Sequence, residues 1–202
     1  MATPPLTGTK ATIVEAALET LKTRGFAGSS AREIASVGNF NQALIFYHFG
    51  SVQNLLLAAL DLVSARRMRA YGPAFGQAQS ATELAHLARE IYAEDRENGY
   101  VTVLGEMVAA GVSNPELGAA VVARLEPWVE MVEGKLRELV VGSPLVSLIP
   151  PRDAAFAVIA LYLGIDMLSQ LEGDHARAES LLEVGVRYAP LADALLPLRE
   201  AR

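Results

Sequence analysis

The stretch from Ser30 to Phe49, SAREIASVGNFNQALIFYHF, admits few folds. Ser30 and Glu33 have the spacing of a capping box, in which each side chain satisfies a backbone N–H left open at a helix start. Ile34 and Ala35 then face inward on a short helix. Gly38-Asn39 ends it, because asparagine is one of the few non-glycine residues that tolerates a left-handed backbone. Asn41 caps a second helix with Ile45 and Phe49 on its inner side. Gln42, Ala43, Phe46, Tyr47 and His48 are left facing outward, a small, amide and aromatic surface suited to a DNA major groove. The stretch therefore reads as a helix-turn-helix.

The flanking residues keep to helical spacing. Ile13, Ala17 and Leu21 form one stripe, closed by Arg24-Gly25, with Phe26 as a core wedge beneath the motif. Ser51 caps a further helix carrying Leu55, Leu56, Ala59, Leu60 and Val63. Tyr71-Gly72-Pro73 is expected to break that helix and to mark a domain boundary. Beyond it the pattern remains helical: Ser80 to about Asn98, residues 100–112, and Asn114-Pro115 to about Val141. A Gly/Ser/Pro loop at 142–150 follows. Pro151 opens the most apolar helix, AAFAVIALYLGIDMLSQL. Gly173-Asp174 closes it and caps a last helix that breaks at Pro190 on its way to Leu196. The expectation is an all-α chain: a disordered arm (1–8), a small three-helix helix-turn-helix domain (9–70) and a larger helical domain (75–202).

Two of these pieces limit the chemistry. The chain has no cysteine, which excludes disulfides and thiolate metal sites, and 51% of its residues are hydrophobic, enough for a substantial core. The start, MATPPLTGTK, lacks the basic-then-apolar pattern of a signal, and every apolar run reads as too short or too interrupted to span a bilayer. A cytoplasmic protein without a membrane partner is expected. The formal net charge of −6 counts against nucleic-acid binding. The charge lies downstream, however: up to residue 65, Lys10, Lys22, Arg24 and Arg32 balance Glu15, Glu19, Glu33 and Asp61.

From Thr9 to Leu60 the chain resembles the DNA-binding domain of the TetR-type transcriptional repressors. The matching pieces are IVEAALETLKTRGF, SSAREIA, FYHFGS and LLLAAL, in the family's order. The resemblance implies a ligand-responsive regulator, a repressor in most relatives, that binds a palindromic double-stranded operator as a homodimer. It also implies a protein that is not an enzyme and that needs no cofactor or metal. Gln42 is placed to bind adenine through its amide, Ala43 to touch a thymine methyl, and Tyr47 to do either. Arg32 matches a position that reaches bases or backbone, and Ser30 suits a phosphate. On a bland reading Gln42 and Tyr47 are ordinary solvated residues, and His48 holds the helix end. The chain departs from the family pattern at Asn39 (usually glycine), Phe46 (usually a phosphate-binding tyrosine) and Val52 (usually lysine). The last two remove phosphate contacts, so a shallow salt dependence is expected, on the order of two to four phosphates per subunit.

The resemblance also gives the second half two tasks, dimerisation and ligand binding. Helices 151–171 and 175–196 are the expected four-helix interface, with Ala155, Ile159, Tyr162, Leu163 and Leu182 as contacts. Such a dimer sets its heads about one DNA turn apart, ~34–36 Å. Glu106 and Asp166 lie in apolar helices where a carboxylate needs a partner or a shifted pKa. They face either a ligand cavity or an ion-pair partner. Tyr92, Met107, Trp128 and Tyr162 are candidates for an aromatic pocket, or plain core. One alternative is a di-iron oxidase-type helical bundle, since Glu83…His86 and Glu172…His175 both spell E-x-x-H. The second pair straddles a helix stop, which argues against it. Another is a dimeric ligand-binding protein whose DNA head has decayed.

Overall fold

The computed structural model describes residues 8–141 and 150–195. The rest of the expected N-terminal arm (1–7), residues 142–149 of the expected loop, and Leu196 lie outside the described residues. Among the described residues there is no strand, and the chain runs α1 (Thr9–Arg24), α2 (Ala31–Gly38), α3 (Ala43–Phe49), α4 (Val52–Gln77), α5 (Ala81–Glu97), α6 (Tyr100–Ser113), α7 (Pro115–Val140), α8 (Pro151–Glu172) and α9 (Ala176–Leu195). The protein is all-α, a helix-turn-helix head followed by a helical C-terminal half. Most starts follow the expected side chains: Ser51 accepts from Asn54 N–H (3.0 Å), Ser80 from Glu83 N–H (3.0 Å) and Asn114 from Leu117 N–H (3.1 Å). Each such cap is worth about 1 kcal/mol against alanine.

Two expected breaks are absent. α4 continues through Pro73, and α9 through Pro190. An interior proline forfeits one helix hydrogen bond and crowds the preceding turn, so tertiary contacts must offset it. Around Pro73 they are visible. Tyr71 is buried with its hydroxyl 3.5 Å from Asp95, Phe75 packs on the core, and Lys135 Nζ donates to the Gly76 carbonyl at 2.8 Å. Near Pro190, Ala189 is buried, and Asp193 accepts from the N–H groups of Ala81 (2.5 Å) and Thr82 (3.1 Å) and from the Thr82 hydroxyl (2.5 Å). Asp193 thereby caps the start of α5 from another helix.

The chain forms two compact units, Met1–Met68 with Gly99–Ala123, and Arg69–Asn98 with Arg124–Arg202. In the first, α1 packs on α2 and on α6, and Ile13, Leu18, Leu21, Ile34, Ile45, Leu55, Leu56 and Met107 are sealed from solvent. In the second, α5 lies along α9 and α8 also touches α9. Val129, Val132 and Ala155 form a buried cluster there, flanked by Phe75, Leu136 and Ile159.

α8 corrects a further expectation, because its 22 residues are long and apolar enough to cross a membrane by length and composition. Their distribution favours a protein neighbour instead. Phe156, Leu161, Met167, Leu168 and Leu171 are exposed, and with Ala157, Ala160 and Gly164 they fill an arc of about 140° on a helical wheel. The opposite side holds buried Ala155, Asp166 and Ser169. On α9, Leu181, Val184, Tyr188, Leu191 and Leu195 are exposed on a second such stripe.

Candidate nucleic-acid interface

The head is built as its residues require. Ser30 Oγ accepts the Glu33 N–H at 3.2 Å. The reciprocal half of the capping box is replaced, since the Glu33 carboxylate pairs with Arg24. Asn39 is left-handed at φ 51°, and it is the one such non-glycine residue among those described. The steric demand for glycine falls one position earlier. A Cβ on Gly38 would stand 2.2 Å from the Phe40 ring and 2.8 Å from Ala16 Cβ. Asn41 spends its carboxamide oxygen on the Ala43 N–H (2.9 Å), so it shapes the turn, and Gln42 occupies the cap position of α3.

Ile45 is fully buried and anchors α3. Gln42 and Ala43 are exposed, Phe46 is 51% exposed and Tyr47 83%. A residue as apolar as Phe46 half in water, next to a tyrosine almost wholly in water, has no role in the protomer's own core. His48 is half-buried, with its ring edge-on to Tyr47 (centroids 4.8 Å) and Phe49 (6.4 Å). Its ring is thus held between those of its two chain neighbours. Arg32 is exposed at the mouth of a hollow of about 600 Å³ that is also lined by Ser36, Asn39, Phe40, Asn41 and Gln42. Among the described residues it has no ion pair, whereas Arg24 is held by Glu33 and Arg66 by Glu15. Arg32 is thus the free cation beside Gln42, and the arrangement can present a guanidinium and an amide to base edges or phosphates.

The other expected sites fall apart into two groups. Tyr92, Trp128, Tyr162 and Asp166 all belong to the second unit and are buried or half-buried. Tyr92 and Tyr162 stack edge to face at 6.0 Å, the Tyr162 hydroxyl donates to Asp95 at 2.7 Å, and the Tyr92 hydroxyl lies 3.3 Å from His175 Nδ1. Asp166 accepts from Gln170 Nε2 at 2.5 Å. Burial pushes its carboxyl above the usual range, against the pull of that hydrogen bond and of His175. Burial also raises the Tyr92 phenol, partly offset by a hydrogen bond with Ser169. Glu106 and Met107 belong to the first unit. Met107 is fully buried core, and Glu106 accepts the Phe26 N–H at 2.6 Å.

Asp95 and His175 were missed as members of this polar cluster. Asp95 sits in a run of charges, yet it follows Tyr92 by three residues and so shares its inward face. Of the expected interface residues, Ala155 and Ile159 belong to the protomer's own core cluster. Leu163 is half-buried, and Leu182 lines a groove between α5 and α9. Glu83, in the first E-x-x-H pair, accepts from Gln79 N–H (2.7 Å). The second pair is split by left-handed Gly173.

An exposed, guanidinium-flanked α3 on a compact three-helix base defines a DNA-binding helix-turn-helix protein. Residues 13–59 match the family model of the bacterial regulatory proteins, tetR family. No protein of curated function matches by sequence. Among solved structures, a TetR family member from Streptomyces coelicolor A3 is 25% identical over 95% of this chain and 100% of its own, with a TM-score of 0.63. The multidrug binding protein EbrR, complexed with imidazole, is 23% identical over 98% and 99%, TM-score 0.62. The transcriptional regulator FadR from Bacillus subtilis, in complex with stearoyl-CoA, is 14% identical over 89% and 96%, TM-score 0.72. The head, residues 13–59, is thus similar to the DNA-binding domain of the tetR family, and the chain as a whole has the fold of these solved regulators.

Proposed function

We propose that this regulator is a cytoplasmic, ligand-responsive repressor that binds a palindromic operator as a homodimer. DNA binding falls to residues 9–70, and ligand binding and dimerisation to residues 75–202. The observation that carries the DNA reading is the unsupported exposure of Phe46 and Tyr47 beside Gln42, Ala43 and the unpaired Arg32. Arg32 and Gln42 read bases, Ala43 and Phe46 make apolar contacts, Tyr47 contacts a base or the backbone, and Ser30 with the first amides of α2 meets a phosphate. Asn41 and His48 shape the surface that the others present.

Support for the homodimer comes from the exposed stripes of α8 and α9. Two such pairs of helices, related by a two-fold axis, would bury them as a four-helix interface. The interface residues are then Phe156, Leu161, Leu168 and Leu171 with Leu181, Tyr188, Leu191 and Leu195, one position around the helix from Ala155 and Ile159. Support for a ligand comes from the small molecules held by EbrR and FadR and from the polar cluster of Tyr92, Tyr162, Asp166, Asp95 and His175. A ligand that binds one arrangement of the dimer better than the other changes operator affinity by that difference, and release is the expected direction.

Selection of bound fragments from a random double-stranded DNA pool tests this directly. A palindrome with half-sites about one turn apart, ~10 bp centre to centre, is the expected product. Enrichment of no sequence, or of a single unpaired half-site, would refute the reading.

A further inference from the structure

We propose that Glu106 is a positioning residue for DNA recognition, fastening the loop between α1 and α2 to α6 and so fixing how the reading head packs on that helix. The proposal rests on the DNA-binding reading above. The Phe26 N–H donates to Glu106 Oε2 at 2.6 Å, across eighty positions of sequence. The preceding residue, Gly25, has φ 67°, and a Cβ there would stand 2.5 Å from the same oxygen. The carboxylate reaches the backbone because that side chain is missing.

An acid is electrostatically misplaced here if its task is only to stabilise α1. The C-terminal end of a helix carries partial negative charge, so a carboxylate beside it opposes the dipole. The gain must lie in the connection. Two neighbouring contacts run the same way. Lys22 Nζ lies 5.0 Å from the centroid of the Tyr100 ring, at the start of α6, and Asn114 Nδ2 reaches Gln53 Oε1 at 3.4 Å, joining the start of α7 to that of α4.

The fastened loop leads straight into the reading surface. Ser29 closes onto it, with its N–H on the Phe26 carbonyl (3.1 Å) and its hydroxyl on the Gly25 carbonyl (2.7 Å). Ser30 and Arg32 follow at once. In the other direction α6 passes through Asn114 into α7, which continues to Val140. α1 already packs on α6, with Met107 buried in the same core. The polar tie fixes the angle of that packing at the loop that leads into Ser30 and Arg32, and head orientation is what sets the spacing of half-sites.

The full-length protein, Glu106→Ala and Glu106→Gln are carried through the same random-pool selection, with thermal melts alongside. Glu106→Ala is expected to enrich the wild-type half-site bases over a spread of spacings, with about tenfold weaker binding to the wild-type site. Glu106→Gln keeps an amide oxygen that accepts the Phe26 N–H, so it is expected to restore spacing and most of the affinity. Gly25→Ala, which pushes the carboxylate away without deleting it, should reproduce the relaxed spacing if Glu106→Ala fails to fold. Wild-type spacing and affinity in a folded Glu106→Ala or Gly25→Ala protein would overturn the proposal. So would a folded Glu106→Gln that behaves like the alanine variant. A wild-type protein that enriches nothing sinks the DNA-binding reading, and this proposal with it.

Discussion

Leu168→Ala should weaken the homodimer by an amount that the structure sets. Leu168 lies on the α8 stripe and is 63% exposed in the single protomer. Fully burying a leucine is worth roughly 1.5–3 kcal/mol, so burying the remaining part gives about 1–2 kcal/mol per copy. An isologous interface uses the residue twice, which makes about 2–4 kcal/mol, or roughly 30- to 1,000-fold in the dimer dissociation constant. Alanine retains some of that area, so the lower half of the range is expected. Val122 is the matched control: it is also 63% exposed, but it lies on α7, outside both stripes. Sedimentation equilibrium over a concentration series reads the constants. The reasoning fails if Val122→Ala weakens association as much as Leu168→Ala, or if the wild-type protein sediments as a monomer throughout.

Other consequences are as direct. Arg32→Ala should cost ~1–3 kcal/mol of operator binding and relax preference at one or two base pairs, whereas uniform weakening at every position would make Arg32 a backbone clamp. The slope of log affinity against log salt should correspond to about two to four phosphates per subunit, measured by fluorescence anisotropy, and a steep slope would contradict it. Asp166→Asn should gain on wild type as pH rises. A carboxyl raised in the fold adds stability that is complete below its unfolded pKa and is lost as pH climbs through the folded one. Melting curves from acid to neutral pH check this, and a gap constant with pH would refute it. Asp193→Ala should destabilise the protein by about 1–2 kcal/mol in denaturant and speed hydrogen exchange at Ala81 and Thr82, because it removes the acceptor of these two amides and leaves α5 capped by Ser80 alone. Unchanged exchange there would show that the cap is idle.

Local chemistry was legible in the sequence, and tertiary compensation was not. The ends of α1, α2 and α6, the caps of α5 and α7, and left-handed Asn39 all follow from signals a few residues long. Pro73 and Pro190 misled because the contacts that hold those turns come from Asp95, Lys135, Ala81 and Thr82, distant in the chain. Glu106 was correctly singled out as an acid in need of a partner. That partner proved to be a backbone N–H, a group every residue but proline carries and so invisible to any reading by residue type. Two of the expected interface residues, Ala155 and Ile159, lie in the protomer's own core for a related reason. Ala155 and Phe156 are both apolar, and only the packing of Val129 and Val132 decides which of them turns inward.

The homodimer proposed through the oily bands of α8 and α9 would have a genetic consequence. Each copy carries the same bands whatever the condition of its head, and pairing through them would not inspect the head. A chain with a ruined α3 but intact bands would enlist sound chains into mixed pairs with one working hand. Mutant alleles of the head would then be dominant over wild type in the same cell, while alleles of the bands would be recessive.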